Sequence, residues 1–219
     1  MDDRGAQMAE TLRRIELDLP EVAPALWRNL RGPIDEERLA SVRAAISPMP
    51  LPVELEVLLR SHDGQPAHGE WWPTLDCGPL VGSDRLVELV TWFRTETEPW
   101  QWSKAWIPMT QQQWCQAVID AVPERSGTII DASWPDLPRA IAPSLADAVG
   151  EAVDLGRAGL LPTSSEDRAR RADRAAFLDD LWHTAWASNV LRRRSEIDPG
   201  TWPGSWGGPH PMDGPERRL

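Results

Sequence analysis

The order of elements along the chain predicts an α+β fold: N-terminal helices, a central, mostly antiparallel sheet, then C-terminal helices. Two observations carry this. Apolar residues recur at helical spacing before residue 61, over 84–95 and after residue 144, while short apolar runs without that period fall between residues 105 and 142. Elements of each kind cluster along the chain instead of alternating, which separates α+β from a parallel α/β sheet. At 219 residues and 41% hydrophobic content, the chain suits one domain with a real core, residues 1–158, plus an extension.

Residues 7–18 place Met8, Leu12, Ile15 and Leu19 on one helical face, and Pro20 and Pro24 are expected to end that helix. Val22, Leu26, Trp27 and Leu30 follow, up to a break at Arg31-Gly32-Pro33. Asp35 suits an N-cap, with Glu36 and Glu37 in the first turn and Leu39, Val42 and Ile46 facing inward. Pro48, Pro50 and Pro52 make a stiff connector into a helix over 53–61, with Leu55, Leu58 and Leu59 inward. Gly64 in His62-Asp63-Gly64-Gln65 suits a left-handed turn after that helix. Residues 69–82 read as a loop and a short edge strand; a helix follows over 84–95, with Leu86, Leu89, Val90 and Phe93 on one side.

Four short strands are expected next, over 105–109, 114–122, 128–131 and 138–142, with a hairpin loop at 123–127. Val118 and Ile119 are adjacent and both apolar, so the second strand should be covered on both faces. Ser144, with Asp147 three residues on, caps a helix reaching Leu155. Beyond it, residues 159–195 read as a linker and a long helix from Glu166 to about Arg192. Leu178, Leu181, Trp182 and Trp186 line one face of that helix, expected either to pack on the body or to be offered to a partner. Residues 196–219 are a Trp/Gly/Pro-rich irregular tail.

The net charge is −11, and the whole excess of carboxylates falls before residue 164. An acidic body repels phosphate backbones and attracts basic partners, which argues against nucleic acid. No stretch approaches the apolar length of a membrane span, and the start Met1-Asp2-Asp3-Arg4 lacks the character of a signal peptide. A cytoplasmic location is expected. Cys77 and Cys115 form no CxxC pair; they read as buried reduced thiols, with a disulfide or a metal site as the other options.

The sequence has no phosphate-binding loop, no GxSxG elbow and no HExxH. His62, His68, His183 and His210 are scattered, and His62, Asp63 and His68 would be a poor ligand set on a loop. His62 beside Asp63 suggests acid–base chemistry only superficially, because neighbouring residues usually point different ways. We therefore expect no catalytic residues, no metal and no cofactor. The thirteen tryptophans are the unusual feature. Trp71-Trp72 and the run Trp100, Trp102, Trp106 either fill the core or line an exposed groove, since tryptophan is enriched at binding hot spots.

Several stretches, in order, resemble the SMI1/KNR4 (SUKH) superfamily. Leu51 to Gln65 is similar to its Leu-Pro helix start, apolar helix and Asp-Gly-Gln ending. Gly32 to Ile46 resembles the acidic helix before it. Trp106-Ile107-Pro108, Ala117-Val118-Ile119-Asp120 and Gly127-Thr128-Ile129-Ile130 resemble its strands, and Ala142-Pro143-Ser144-Leu145 resembles the start of its closing helix. The resemblance covers about residues 7–155. It departs at Thr110-Gln111-Gln112-Gln113, where the family often has a glycine- or asparagine-rich turn.

The resemblance implies an SMI1/KNR4-like α+β fold without catalytic machinery. Bacterial members are widely seen as immunity proteins of polymorphic toxin systems; others are protein-interaction or regulatory modules, as in yeast cell-wall signalling. The expectation is a non-enzymatic protein-binding domain that neutralises a basic toxin domain, with a housekeeping regulatory or scaffold module as the alternative. The residues expected to meet the partner are Asp63, Trp71, Trp72, Glu96, Glu98, Trp100 and Trp102.

Overall fold

The computed structural model of the chain describes residues 3–67, 72–73, 75, 78–97, 102–111, 116–122, 126–132, 139–159 and 161. Its elements run α1 (Asp3–Val22), α2 (Pro24–Asn29), α3 (Glu36–Ile46), α4 (Val53–Ser61), α5 (Ser83–Glu96), β1 (Trp106–Pro108), β2 (Ala117–Asp120), β3 (Ile129–Asp131), β4 (Arg139–Ala142) and α6 (Leu145–Arg157). The arrangement is α+β, as the clustering of periodicities predicts. The strands form one antiparallel sheet in sequence order, β1-β2-β3-β4. The register pairs Ile107 with Ile119 and Val118 with Ile130. A shift between Ile129 and Ile130 marks an irregularity in the β3–β4 pairing.

One apolar core joins the helices to the sheet. The long helix α1 buries Met8, Leu12, Ile15 and Leu19 and packs against α4 and α6. Helix α3 lies on α5 through Leu39, Val42 and Ile46, all at most 1% exposed. Every residue of β2 is buried, as expected for a strand covered on both sides. Small side chains let α6 approach closely; Ala146, Ala148, Gly150 and Ala152 are all buried.

Helix α1 departs from its expected bounds. It runs through Pro20 to Val22 instead of stopping at the proline. Pro20 lies in the last turn, where the one hydrogen bond it removes is on an exposed face. Ala23 N still donates to Leu19 O at 2.8 Å. Pro24 then opens α2 at a position where its missing N–H has no helical partner to lose. The strands are shorter than their apolar runs; β1 is only Trp106–Pro108, although Ala105 O and Met109 N still bond to Ala121 N and Ala117 O. Among the described residues of 69–82, the expected edge strand is represented by a bridge between Leu80 and Thr110.

Candidate protein-binding site

The segment His62-Asp63-Gly64-Gln65 leaves α4 and crosses beneath the start of α5, and all four residues are buried. Its backbone is tied on both sides. Asp63 N donates to Gly32 O at 2.9 Å, Arg31 N to Gly64 O at 3.0 Å, and Gln65 N to Leu80 O at 3.0 Å. Gly64 has φ +63, and a Cβ there would run into the backbone carbonyl of Val81. Glycine is therefore required twice, for the left-handed turn and for the close approach.

Asp63 holds α5. The N-cap of α5 is Gly82, which has no side chain to offer, and the Asp63 carboxylate accepts from Ser83 N at 2.5 Å in its place. The Gln65 side-chain carbonyl accepts from Leu80 N at 2.8 Å, and Gln111 Nε2 donates to the carbonyls of Gln65 and Leu80. His62 turns the other way. Its Nδ1 lies 3.1 Å from Arg31 O and its ring stands edge-on to Trp27. His62 and Asp63 thus face different neighbours and form no acid–base pair.

A second buried carboxylate, Glu54, does for α6 what Asp63 does for α5. It is 1% exposed, accepts from Ala146 N at 3.2 Å in the first turn of α6, and meets Arg4 of α1 at 3.2 Å. Burial pushes its carboxyl above the usual range, opposed by the Ala146 bond and by Arg4. Gly127, at φ +90, passes so close to Arg4 and Glu54 that a Cβ would displace the ends of both side chains. Ser144 completes the α6 cap by accepting from Asp147 N at 3.0 Å while its hydroxyl donates to Asp147 Oδ2 at 2.6 Å.

Of the residues expected at the partner surface, Asp63 is a buried scaffold residue. Trp72 and Trp102 are 1% and 5% exposed. Trp102 stacks on Phe93 at 3.6 Å between ring centroids and meets Trp106 edge-on. Of the two alternatives, core or groove, these two rings take the core. Glu96 is exposed at the end of α5. Trp71, Glu98 and Trp100 lie outside the described residues. So do Cys77, Cys115, His68, His183, His210, the expected helix over 166–192 and the tail.

The exposed surface that remains is acidic around α3 and the start of α5. A groove of about 550 Å³ between them is lined by Asp35, Glu37, Arg38, Ser41, Ser83, Asp84, Val87 and Glu88. It continues past Asp84 and Glu88 into a cleft of about 400 Å³ reaching Arg31, Gln65 and Gln111. Arg38 bridges to Asp84 across the groove, and Arg85 pairs with Glu88 at 2.9 Å. The run Asp35-Glu36-Glu37 reads as a helix start. Asp35 does cap α3 by accepting from Arg38 N at 2.8 Å. The groove escaped that reading because its second wall, α5, comes from residues nearly fifty positions later.

No group of three or more metal-binding side chains occurs among the described residues, and none of their helices is long and apolar enough to cross a membrane. No protein-family model matches the chain, and no curated protein matches it.

Proposed function

We propose that this chain is a cytoplasmic, non-enzymatic protein-binding domain of the SMI1/KNR4 type, and that it neutralises a basic toxin domain by direct contact. The observation that carries this reading is a division of labour among its polar residues. His62 and Asp63, whose adjacency suggests acid–base chemistry, face inward, as does Glu54; Asp63 and Glu54 accept from the first turns of α5 and α6, and His62 Nδ1 meets the Arg31 carbonyl. The outward carboxylates crowd the rims of α3 and α5. A buried carboxylate bonded to a helix N-terminus serves the fold; an exposed acidic face serves encounter with a basic surface, because long-range attraction raises the association rate.

Co-expression with the product of a neighbouring toxin-like reading frame tests the proposal. A stable complex and restored growth are the expected result. Unrelieved toxicity, with the complex absent, overturns it. A complex with a non-toxic cellular protein and no rescue moves the reading to the regulatory module.

A further inference from the structure

We propose that the groove between α3 and the first two turns of α5 is the partner-binding site, and that it takes an arginine side chain from a basic protein. The inference rests on the protein-binding reading above and names its site. Three observations converge. First, four carboxylates line the groove, Asp35, Glu37, Asp84 and Glu88; Asp35 caps α3, and Asp84 and Glu88 pair with Arg38 and Arg85. Glu37 is exposed and makes no ion pair among the described residues. Second, the Ser83 hydroxyl lines the same groove in a residue only 1% exposed and has no hydrogen-bond partner. A buried hydroxyl without a partner is costly, and a donor arriving from outside relieves that cost. Third, a carboxylate already stands at each helix start beside the groove, Asp63 accepting from Ser83 N of α5 and Asp35 from Arg38 N of α3. The groove therefore suits a cation better than an anion.

Arginine fits this set better than lysine. Its planar guanidinium carries five donors and can meet two carboxylates and a hydroxyl at once, whereas an ammonium acts as a compact point charge. Arg38 already shows the geometry from inside the molecule, reaching from α3 to Asp84 on the opposite wall. An incoming arginine seats against Glu37 and shares Glu88 with Arg85, beside the Arg38 bridge, with the Ser83 hydroxyl at the floor.

The test uses the full chain and a fluorescent eight-residue oligo-arginine peptide, followed by anisotropy at low ionic strength, with oligo-lysine of equal length as the comparison. The double variant Glu37→Gln/Glu88→Gln should lose about tenfold in affinity for oligo-arginine. The control Glu10→Gln/Glu21→Gln removes equal charge from α1 and breaks one comparable surface pair, Glu10 with Arg13, and should lose less than about twofold. Ser83→Ala should narrow the preference for arginine over lysine. Unchanged melting temperatures establish that all variants fold. Equal losses in the two double variants overturn the groove, because the peptide then reads only net charge. A partner isolated by co-expression separates the two ideas. If it binds Glu37→Gln/Glu88→Gln as tightly as the parent chain, the groove fails and the protein-binding reading stands. If the groove variants lose the peptide but no toxin is neutralised, the groove stands and the neutralisation reading fails.

Discussion

Asp63 and Glu54 show how a single side chain can hold a helix that its own neighbours in sequence cannot cap. Replacing Asp63 by alanine leaves Ser83 N without its acceptor and should destabilise the fold by about 1–2 kcal/mol, while asparagine, which still accepts, should cost less. Chemical denaturation of the two variants checks the order; equal losses would mean the cap is not what Asp63 contributes. Glu54 adds a pH dependence. Burial raises its folded pKa above the ordinary value of 4.5, with Arg4 and the Ala146 N–H pulling the other way and Asp147 adding to the rise. Between those two values the native state holds the extra proton, so this group's contribution to stability falls as pH rises through the window. Glu54→Gln keeps an acceptor for Ala146 N and cannot ionise. The stability of Glu54→Gln relative to the parent chain should therefore improve from about pH 4 to about pH 7, as read from denaturation midpoints at each pH. A difference that is flat or moves the other way contradicts the assignment.

Elements in this molecule are joined end to side. The C-terminus of α3 is closed by Arg94 of α5, whose guanidinium donates to the carbonyls of Ala45, Ile46 and Ser47 and to that of Lys104 before β1. One side chain thus ties two helices to the approach of the sheet, and partial burial lowers its pKa without removing its charge. Arg94→Ala should cost about 1–3 kcal/mol by leaving helix-end carbonyls unpartnered, and Arg94→Lys should recover only part of that, because lysine lacks the fork. Thermal melts of both variants decide it, and full recovery by lysine would reduce the role to charge. Arg43 and Arg60 likewise clasp Glu56, and their hydrogen bonds hold its carboxyl below the usual range. This network's contribution is present above the ordinary carboxylate pKa and is lost as pH falls through the lowered one, opposite in sign to that of Glu54.

Across the whole molecule, the excess of carboxylates makes association with a basic partner a long-range event. The association rate should fall steeply as ionic strength rises, by about tenfold from 0.05 to 0.5 M salt, with a smaller change in the dissociation rate. Stopped-flow measurements on the co-expressed partner check this; a salt-independent rate removes steering from the account. The core that carries this surface is continuous. Phe93 of α5 stacks on Trp102, which meets Trp106 at the start of the sheet, so the helical layer and the sheet share one aromatic seam.

The local pattern alone determined the α+β class, the bounds of α4, the caps at Asp35 and Ser144, and the two-sided burial of β2, because each depends on spacing or on a residue's own backbone preference. Gly64 was legible as a left-handed turn for the same reason. Only the tertiary structure decided that Asp63, Glu54 and Arg94 hold the ends of helices distant in sequence, and that Trp72 and Trp102 are core. It also brought Glu37 and Glu88 to the same groove. A side chain's periodicity says which neighbours share its face, but whether that face meets solvent, a carbonyl or another ring depends on elements twenty to ninety residues away.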